Sequence, residues 1–223
     1  MISMSYVRIK RSLIILLALV LILYAGSSFL CRGEDEKQIA LTFDDGPHYK
    51  YTEEILDILK KYDVKATFFT VGTNAERYPE LIKREISEGH EVANHTYSHK
   101  HMADLSEAEF EAEIREWEDA VNGCFEYTSN LFRPPEGILT QDEAQIVTEN
   151  GYETVLWTVD TRDWAHNKVE SIVETVVSGA RDGGIVLFHD FVSGSSPTPE
   201  ALDIIIPRLK EMGYELVTVS ELK

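Results

Sequence analysis

"QIALTFDDGPHYKYTEEILDILKKYDVKATFFTVG", residues 38–72, contains the pattern that the rest of the chain repeats. "QIALTFDD" is an apolar run typical of a buried strand, and "VKATFFTVG" is a second one. Between them, "YTEEILDILKKY" places Ile55, Leu56, Leu59 and Tyr62 on one helical face. A strand, a helix and a strand joined by short connections predict a βα unit with parallel strands.

The alternation continues to the end of the chain. Capping boxes at Ser106–Glu109 and Thr140–Glu143 mark two helix starts. Further helices are predicted at residues 74–89, 105–123, 139–151, 167–184 and 198–213, and further strands at residues 90–95, 130–135, 154–160, 185–190 and 214–222.

This pattern predicts an α/β fold, a distorted (β/α) barrel of about seven βα units. The strands are continuous apolar runs, as expected of a parallel sheet covered by helices. A doubly wound open sheet is the alternative. Its nucleotide-binding version is disfavoured because no glycine-rich phosphate loop follows the first strand.

The N-terminal segment predicts an extracytoplasmic protein. Residues 12–31 carry no charge, basic residues precede them and acidic residues follow. This run is long enough for a membrane-spanning signal anchor with its N-terminus in the cytoplasm. A cleaved signal peptide is the rival, because residues 25–28 are small. We therefore expect an anchor or signal at residues 1–31, a linker at residues 32–37 and a catalytic domain at residues 38–223.

The net charge bears on possible binding partners, and the cysteine count on possible disulfide bonds. The formal net charge of -18 argues against binding to nucleic acid. Cys31 and Cys124 are interpreted as free thiols, although one bridge between them remains possible. The oligomeric state is left open.

Chemically active side chains follow the predicted strands, at the edge where such barrels place their active sites. They are Asp44, Asp45, His95, His99, Arg133, Asp160, Asp163, Trp164, His189 and Asp190.

Two histidines and a carboxylate predict a metal site. His95 and His99 are four residues apart, so a helical turn would place both imidazoles on one side. One aspartate of the Asp44–Asp45 pair would be the third ligand, and the other would accept a proton from water. Zinc is the expected ion, with cobalt, nickel, iron or manganese as alternatives. His101 lies outside this spacing.

Five ordered motifs resemble those of the polysaccharide deacetylases, the family-4 carbohydrate esterases with the nodulation-type chitooligosaccharide deacetylase homology domain. They are "TFDDGP", "HTYSH", "RPPEG", "DTRDW" and "IVLFHD", within residues 38–223. The resemblance implies a distorted (β/α) barrel and metal-dependent hydrolysis of acetyl groups, usually N-acetyl, on polysaccharides such as peptidoglycan or chitin.

The resemblance also implies a role for each matching residue. Asp44 would be the general base and Arg133 its partner, while His189 would be the general acid, oriented by Asp163. The metal ligands would be Asp45, His95 and His99, and the substrate contacts Pro135, Glu136, Trp164 and Leu187. Glu136 departs from the family, which commonly has an aromatic residue there, so we expect some preference for a cationic substrate.

The favoured substrate is the N-acetylglucosamine of peptidoglycan, because an anchored enzyme meets the cell wall directly. A deacetylase of chitin or chitooligosaccharides and an O-acetyl xylan esterase are alternatives that need the same residues. A non-catalytic glycan-binding module is a further alternative. It predicts loss of a metal ligand or of the base, and neither is lost here.

Overall fold

The computed structural model of the protein describes residues 37–123 and 125–223. The predicted anchor or signal segment at residues 1–31 lies outside the described residues, as do residues 32–36 and both cysteines. None of the helices in the described part of the chain has the length and apolar character needed to cross a bilayer.

The centre of the fold is an eight-stranded sheet in which every pairing is parallel. Seven strands follow the order β5-β4-β3-β2-β1-β7-β6, and β8 pairs with the first half of β1. The strands are β1 (Lys37–Asp44), β2 (Thr67–Thr70), β3 (Glu91–Asn94), β4 (Leu131–Phe132), β5 (Glu153–Thr154), β6 (Val159–Asp160), β7 (Gly184–His189) and β8 (Tyr214–Val217).

The helices occupy the connections between strands. They are α1 (Tyr51–Tyr62), α2 (Gly72–Arg77), α3 (Pro79–Ser87), α4 (Glu107–Asn122), α5 (Gln141–Glu149), α6 (Val169–Gly179) and α7 (Thr198–Glu211). Both predicted capping boxes are confirmed: Ser106 and Thr140 each exchange hydrogen bonds with the glutamate three residues later.

The single helix predicted at residues 74–89 is wrong. The chain forms α2 and α3 instead, separated at Tyr78, whose φ of -132° and ψ of 57° are not helical. Pro79 explains the break, because its ring disfavours the helical conformation for the preceding residue. Proline is well tolerated where it stands, at the first turn of α3.

The single strand predicted at residues 154–160 is also wrong, and the difference shapes the fold. This segment forms β5 and β6, which lie at opposite ends of the strand order. Five Cα–Cα steps from Thr154 to Val159 span at most ~19 Å. In a flat sheet, six strand spacings would separate these edges by ~29 Å. The sheet therefore curls until its two edges approach, which makes the fold a parallel half-barrel rather than an open sheet.

The main core lies between the sheet and helices α1, α6 and α7. Phe43 on β1 stacks on Phe68 and Phe188 of the neighbouring strands, with ring centroids 5.0 Å and 5.6 Å away. All seven residues of β1 after Lys37 are buried. The central strand is thus held from both sides, and its carboxyl end is fixed in position.

Candidate active site

The carboxyl end of β1 places two acidic side chains at the mouth of the half-barrel. Asp44 is 3% exposed and pairs in register with His189 on β7. Asp45 directly follows the last residue of the strand, and its φ of 75° turns the chain out of the extended conformation. This turn overrides the strict alternation of a strand and lets both carboxylates line one pocket.

Arg133, directly after β4, is fully buried beside Asp44. Its Nη1 donates to Asp44 Oδ1 at 2.6 Å and to Thr42 Oγ1 at 2.8 Å, and its Nε donates to the Val155 carbonyl at 3.1 Å. The guanidinium carbon lies 3.9 Å from the ring centroid of Phe69. Asp44 therefore has one oxygen engaged by a charged partner.

His95 and His99 do not lie on a helical turn, so the prediction of such a turn is wrong. Residues 95–99 form an irregular loop in which Thr96 and His99 have φ values of 66° and 53°. Thr96 N–H donates to Asn94 Oδ1, and His99 N–H donates to Thr96 Oγ1. Local side-chain bonds of this kind compete with helix formation and fix the loop instead.

Asp45, His95 and His99 form a possible metal site. Asp45 Oδ1 lies 3.3 Å from His95 Nε2 and 3.1 Å from His99 Nε2, and one ligand atom from each residue falls within 4.8 Å of the others. His95 Nδ1–H donates to the Arg133 carbonyl at 2.7 Å, which leaves Nε2 free to act as a ligand. The donor set and its orientation fit a divalent cation.

The electrostatic environment favours the ionised form of the Asp45 carboxylate. Burial raises the pKa of Asp45, but hydrogen bonds from His95 and His99 and the charges of His95 and His189 outweigh it and hold the pKa far below its usual range. The hydrogen bond that His99 donates to Asp45 correspondingly raises the pKa of His99, against the opposing effect of burial. The site therefore attracts positive charge next to Asp45.

His189, at the end of β7, is held in a charged state by Asp163. Asp163 is fully buried; its Oδ1 lies 2.8 Å from His189 Nδ1, and its Oδ2 accepts from His189 N–H and from Thr198 Oγ1. Burial lowers the pKa of His189, but this bond and the Asp163 charge, aided by Asp44 and Asp45, raise it to about 9. At neutral pH His189 is thus a cation with Nε2–H available to donate.

These groups converge on one pocket of about 470 Å³. Arg133, Pro135 and Asp163 are buried and do not line it, whereas the other eight residues to which the resemblance assigns a role do. The lining residues are Asp44, Asp45, His95, His99, Glu136, Trp157, Asp160, Trp164, Leu187 and His189.

Trp157 lines the pocket although the sequence did not predict it. It lies in the segment that crosses between the two sheet edges, and a Cβ on Gly137 would come within 2.5 Å of its ring. Gly137 has a φ of 72°, so a glycine is required there by both the backbone and the tryptophan. The run "LWTVD" has the apolar character of a strand interior, so the sequence pattern carries no sign of this role.

His101, which lies outside the spacing of the two metal-ligand histidines, contacts Glu136. Its Nδ1 lies 3.2 Å from Glu136 Oε2, and both side chains are largely exposed. Glu136 has a φ of 61° within the short 3-10 turn Pro135–Gly137. His101 thus contacts the acidic residue at the pocket mouth and is not part of the metal cluster.

Comparison with known proteins agrees with this geometry. The sequence profile of the polysaccharide deacetylase family matches residues 32–155. A peptidoglycan-N-acetylglucosamine deacetylase of Bacillus cereus is 44% identical over 190 residues, which cover 84% of this chain and 89% of the relative. A chitooligosaccharide deacetylase of a Bradyrhizobium species is 37% identical over 198 residues, which cover 83% and 90%.

A solved structure agrees as well. The peptidoglycan deacetylase PdaC from Bacillus subtilis matches with a TM-score of 0.78 at 39% identity, over 84% of this chain and 90% of that one. The half-barrel with its carboxylate and histidine pocket is thus that of a carbohydrate deacetylase. The chain belongs to the polysaccharide deacetylase family.

The pairing of His189 with Asp163 predicts a distinctive titration. In metal-free protein, His189 should stay protonated until about pH 9, whereas an ordinary histidine titrates near 6.5. Since the folded-state pKa is the higher one, the pair stabilises the fold fully below pH 6.5, and this contribution is lost as the pH rises to about 9. Histidine-selective NMR titration measures the pKa of His189. Urea unfolding at a series of pH values measures how the free energy of unfolding changes with pH.

Asp163→Asn should lower the pKa of His189 well below about 9, because burial is then opposed only by the charges of Asp44 and Asp45. Asp160→Asn is the matched control: its Oδ1 accepts from Arg162 N–H rather than from His189. Titration of His189 near 6.5 in the unsubstituted protein would contradict the assignment.

Proposed function

We propose that this chain is a metal-dependent deacetylase that hydrolyses the N-acetyl group of N-acetylglucosamine in peptidoglycan and releases acetate. The observation that carries the proposal is one pocket lined by a three-residue metal cluster, an arginine-bound carboxylate and a charged histidine. The named activity of the Bacillus cereus relative supports the choice of substrate.

Asp44 is the proposed general base. Arg133 occupies Oδ1, and Oδ2 lies 3.8 Å from His95 Nε2, on the side of the metal cluster. This oxygen is placed to take a proton from a water molecule that attacks the acetamide carbonyl. The ion pair with the buried Arg133 holds the Asp44 side chain in this position.

His189 is the proposed general acid. Amide hydrolysis requires protonation of the leaving nitrogen, and an imidazolium can supply that proton. Asp163 holds Nδ1, so the proton available to substrate is the one on Nε2. The leaving nitrogen would lie on the β7 side of the pocket, with the base on the adjacent strand β1.

Asp45, His95 and His99 are the proposed ligands of the ion, with zinc expected from two imidazoles and one carboxylate. A divalent cation bound there would polarise the acetamide carbonyl and acidify a water molecule. Cobalt, nickel, iron and manganese suit the same donors.

The remaining pocket residues orient the substrate. We propose that Leu187, Trp157 and Trp164 form an apolar wall for the acetyl methyl group. Pro135 fixes the entry to the turn that carries Glu136. The Glu136 N–H would donate to the carbonyl oxygen as negative charge develops on it, a contribution of about 3 kcal/mol for one such donor.

Deacetylation of chitooligosaccharides is the second candidate function. The Bradyrhizobium relative, similar over most of both chains, favours it. Both substrates present the same N-acetylglucosamine unit, so the catalytic groups serve either. Acetate release from peptidoglycan, chitooligosaccharides and acetylxylan, measured side by side, separates the two candidates from an O-acetyl esterase.

Removal of the metal and of the base should have different consequences. A chelator should abolish acetate release, and added zinc should restore it. Asp44→Asn should lower kcat by roughly 10²- to 10⁴-fold yet retain zinc, because Asp44 acts on the proton. Asp45→Asn and His95→Ala should lose both zinc and activity. Metal content by mass spectrometry and acetate release measure these outcomes.

Asp142→Asn is the control for this series, an exposed carboxylate in the first turn of α5. It should leave both metal content and turnover unchanged. If Asp44→Asn lost zinc and Asp45→Asn retained it fully, Asp44 would be the metal ligand and Asp45 the general base.

The charge of Glu136 should affect substrate preference. A carboxylate at the mouth attracts an ammonium group, so Glu136→Gln should raise the KM for partly deacetylated chitooligosaccharides by roughly two- to fivefold relative to fully acetylated ones. The effect should shrink with added salt. Glu136→Tyr, which restores the aromatic residue common in the family, should act in the same direction. Equal changes on both substrates would refute a role for the charge.

We also propose that the catalytic domain acts outside the cytoplasmic membrane, held by residues 1–31 as a signal anchor. The uncharged run after basic residues supports this. Immunoblots of separated membranes and culture medium should find the protein with the membranes. Recovery from the medium at reduced mass would indicate a cleaved signal peptide instead.

A further inference from the structure

The two histidines of the proposed metal site are not held in the same way. The His95 side chain is 3% exposed, and the Arg133 carbonyl fixes its Nδ1. The His99 side chain is 37% exposed, and its Nδ1 has no such partner on another residue in the described part of the chain. The position of His99 therefore depends on how the chain around it is held.

Glu113 on α4 binds the residues on both sides of His99. Its Oε2 accepts from Ser98 N–H at 2.7 Å, and its Oε1 accepts from Ser98 Oγ at 2.6 Å. Oε1 also accepts from Lys100 Nζ at 3.0 Å. One carboxylate thus fixes the residue before His99 and the residue after it.

The loop conformation requires such support. Thr96 and His99 have φ values of 66° and 53°, in the left-handed region that disfavours residues with a side chain. Residues other than glycine keep this conformation only where the surrounding contacts determine it. The bonds from Ser98 and Lys100 to Glu113 are contacts of this kind, next to His99.

The Glu113 carboxylate is buried and charged. It is 3% exposed, although it lies on the helix that follows the loop. Burial raises the pKa of Glu113, but the hydrogen bonds from Ser98 and Lys100 outweigh it and hold the pKa below its usual range. Hydrogen bonds to an ionised carboxylate are roughly twice as strong as those between neutral groups.

The helix that carries Glu113 is fixed to the sheet. Asn94 Nδ2, at the end of β3, donates to the Ile114 carbonyl at 3.1 Å. Trp117 Nε1 donates to Thr70 Oγ1, at the end of β2, also at 3.1 Å. Both bonds are buried, so α4 presents Glu113 to the loop from a fixed position.

We propose that Glu113 is a positioning residue for the metal site: through Ser98 and Lys100 it holds His99 where its Nε2 faces Asp45. The inference rests on the proposed function, because the ion in question is the one proposed there. Glu113 is not one of the three clustered ligand residues, so it acts on the ion through His99.

The test measures metal affinity. Glu113→Ala should weaken the zinc affinity of the full-length protein by about 10- to 100-fold, the range for residues that orient metal ligands. Competition with a chromophoric chelator measures this value. The visible absorption spectrum of the cobalt-loaded protein should also change, because His99 is then displaced in the ligand set.

A conservative variant should rescue the site. Glu113→Gln keeps one oxygen that can accept from Ser98 N–H and gains an N–H that can donate to Ser98 Oγ. It should therefore retain a zinc affinity within about threefold of the unsubstituted protein, since the backbone before His99 is still held.

Glu118→Ala is the matched control on the same helix. It also removes a carboxylate that accepts a hydrogen bond, because Glu118 Oε1 accepts from Tyr152 Oη at 2.8 Å, away from the loop. Urea unfolding of the metal-free variants measures how much each carboxylate stabilises the fold. Glu118→Ala should leave zinc affinity and the cobalt spectrum unchanged, even where it lowers the free energy of unfolding as much as Glu113→Ala does.

Unchanged zinc affinity in Glu113→Ala would overturn the proposal, as would an equal loss in Glu118→Ala. If Glu113→Ala does not fold, Ser98→Ala decides instead: it removes the bond to Oε1 from the loop side, and unchanged zinc affinity in this variant would equally overturn the proposal. Lack of acetate release from every substrate by the zinc-loaded unsubstituted protein would reject the proposed function. The zinc affinities would still decide the role of Glu113.

Discussion

The buried guanidinium of Arg133 is the interaction on which the site depends. Its side chain binds Asp44 and the Val155 carbonyl, and its own carbonyl accepts from His95. One residue after β4 thus joins the end of β1, the loop after β3 and the segment that crosses between the sheet edges. Loss of either partner would leave a buried charge unpaired, which costs about 3–5 kcal/mol. The curvature of the sheet and the position of the proposed base are therefore coupled.

Two buried carboxylates serve the two proton transfers of the proposed reaction: Asp44 is the proposed base, and Asp163 keeps the proposed acid, His189, charged. Asp44 keeps one oxygen on Arg133 and turns the other towards the metal cluster, whereas Asp163 directs its charge at His189 and raises the pKa of that histidine. The proposed acceptor and donor stand on adjacent strands in register. A parallel sheet places them at one edge because the carboxyl ends of its strands coincide. Because both pairs are mostly buried, solvent and salt screen them much less than they screen surface ion pairs.

Local patterns in the sequence predicted most elements well and failed where a local rule was overridden. The bounds of α1 agree with the apolar periodicity, and both capping boxes start their helices as predicted. The helix at residues 74–89 was wrong because Pro79 outweighs the periodicity around it. The strand at residues 154–160 was wrong because an apolar run does not reveal which neighbours its two ends pair with. The clustering of the chemical groups at one edge was predictable, since it follows from parallel alternation alone.

The sequence by itself determined the alternation of strands and helices, the order of the motifs and the family to which the chain belongs, because each of these is written in neighbouring residues. Only the tertiary structure decided that the sheet curls, that the loop carrying His95 and His99 is not helical, and that Trp157 lines the pocket while His101 contacts Glu136 at its mouth. It also decided that Glu113 binds the residues on both sides of His99. Contacts between residues far apart in the chain depend on strand pairing and packing, and these are settled only when the whole core closes.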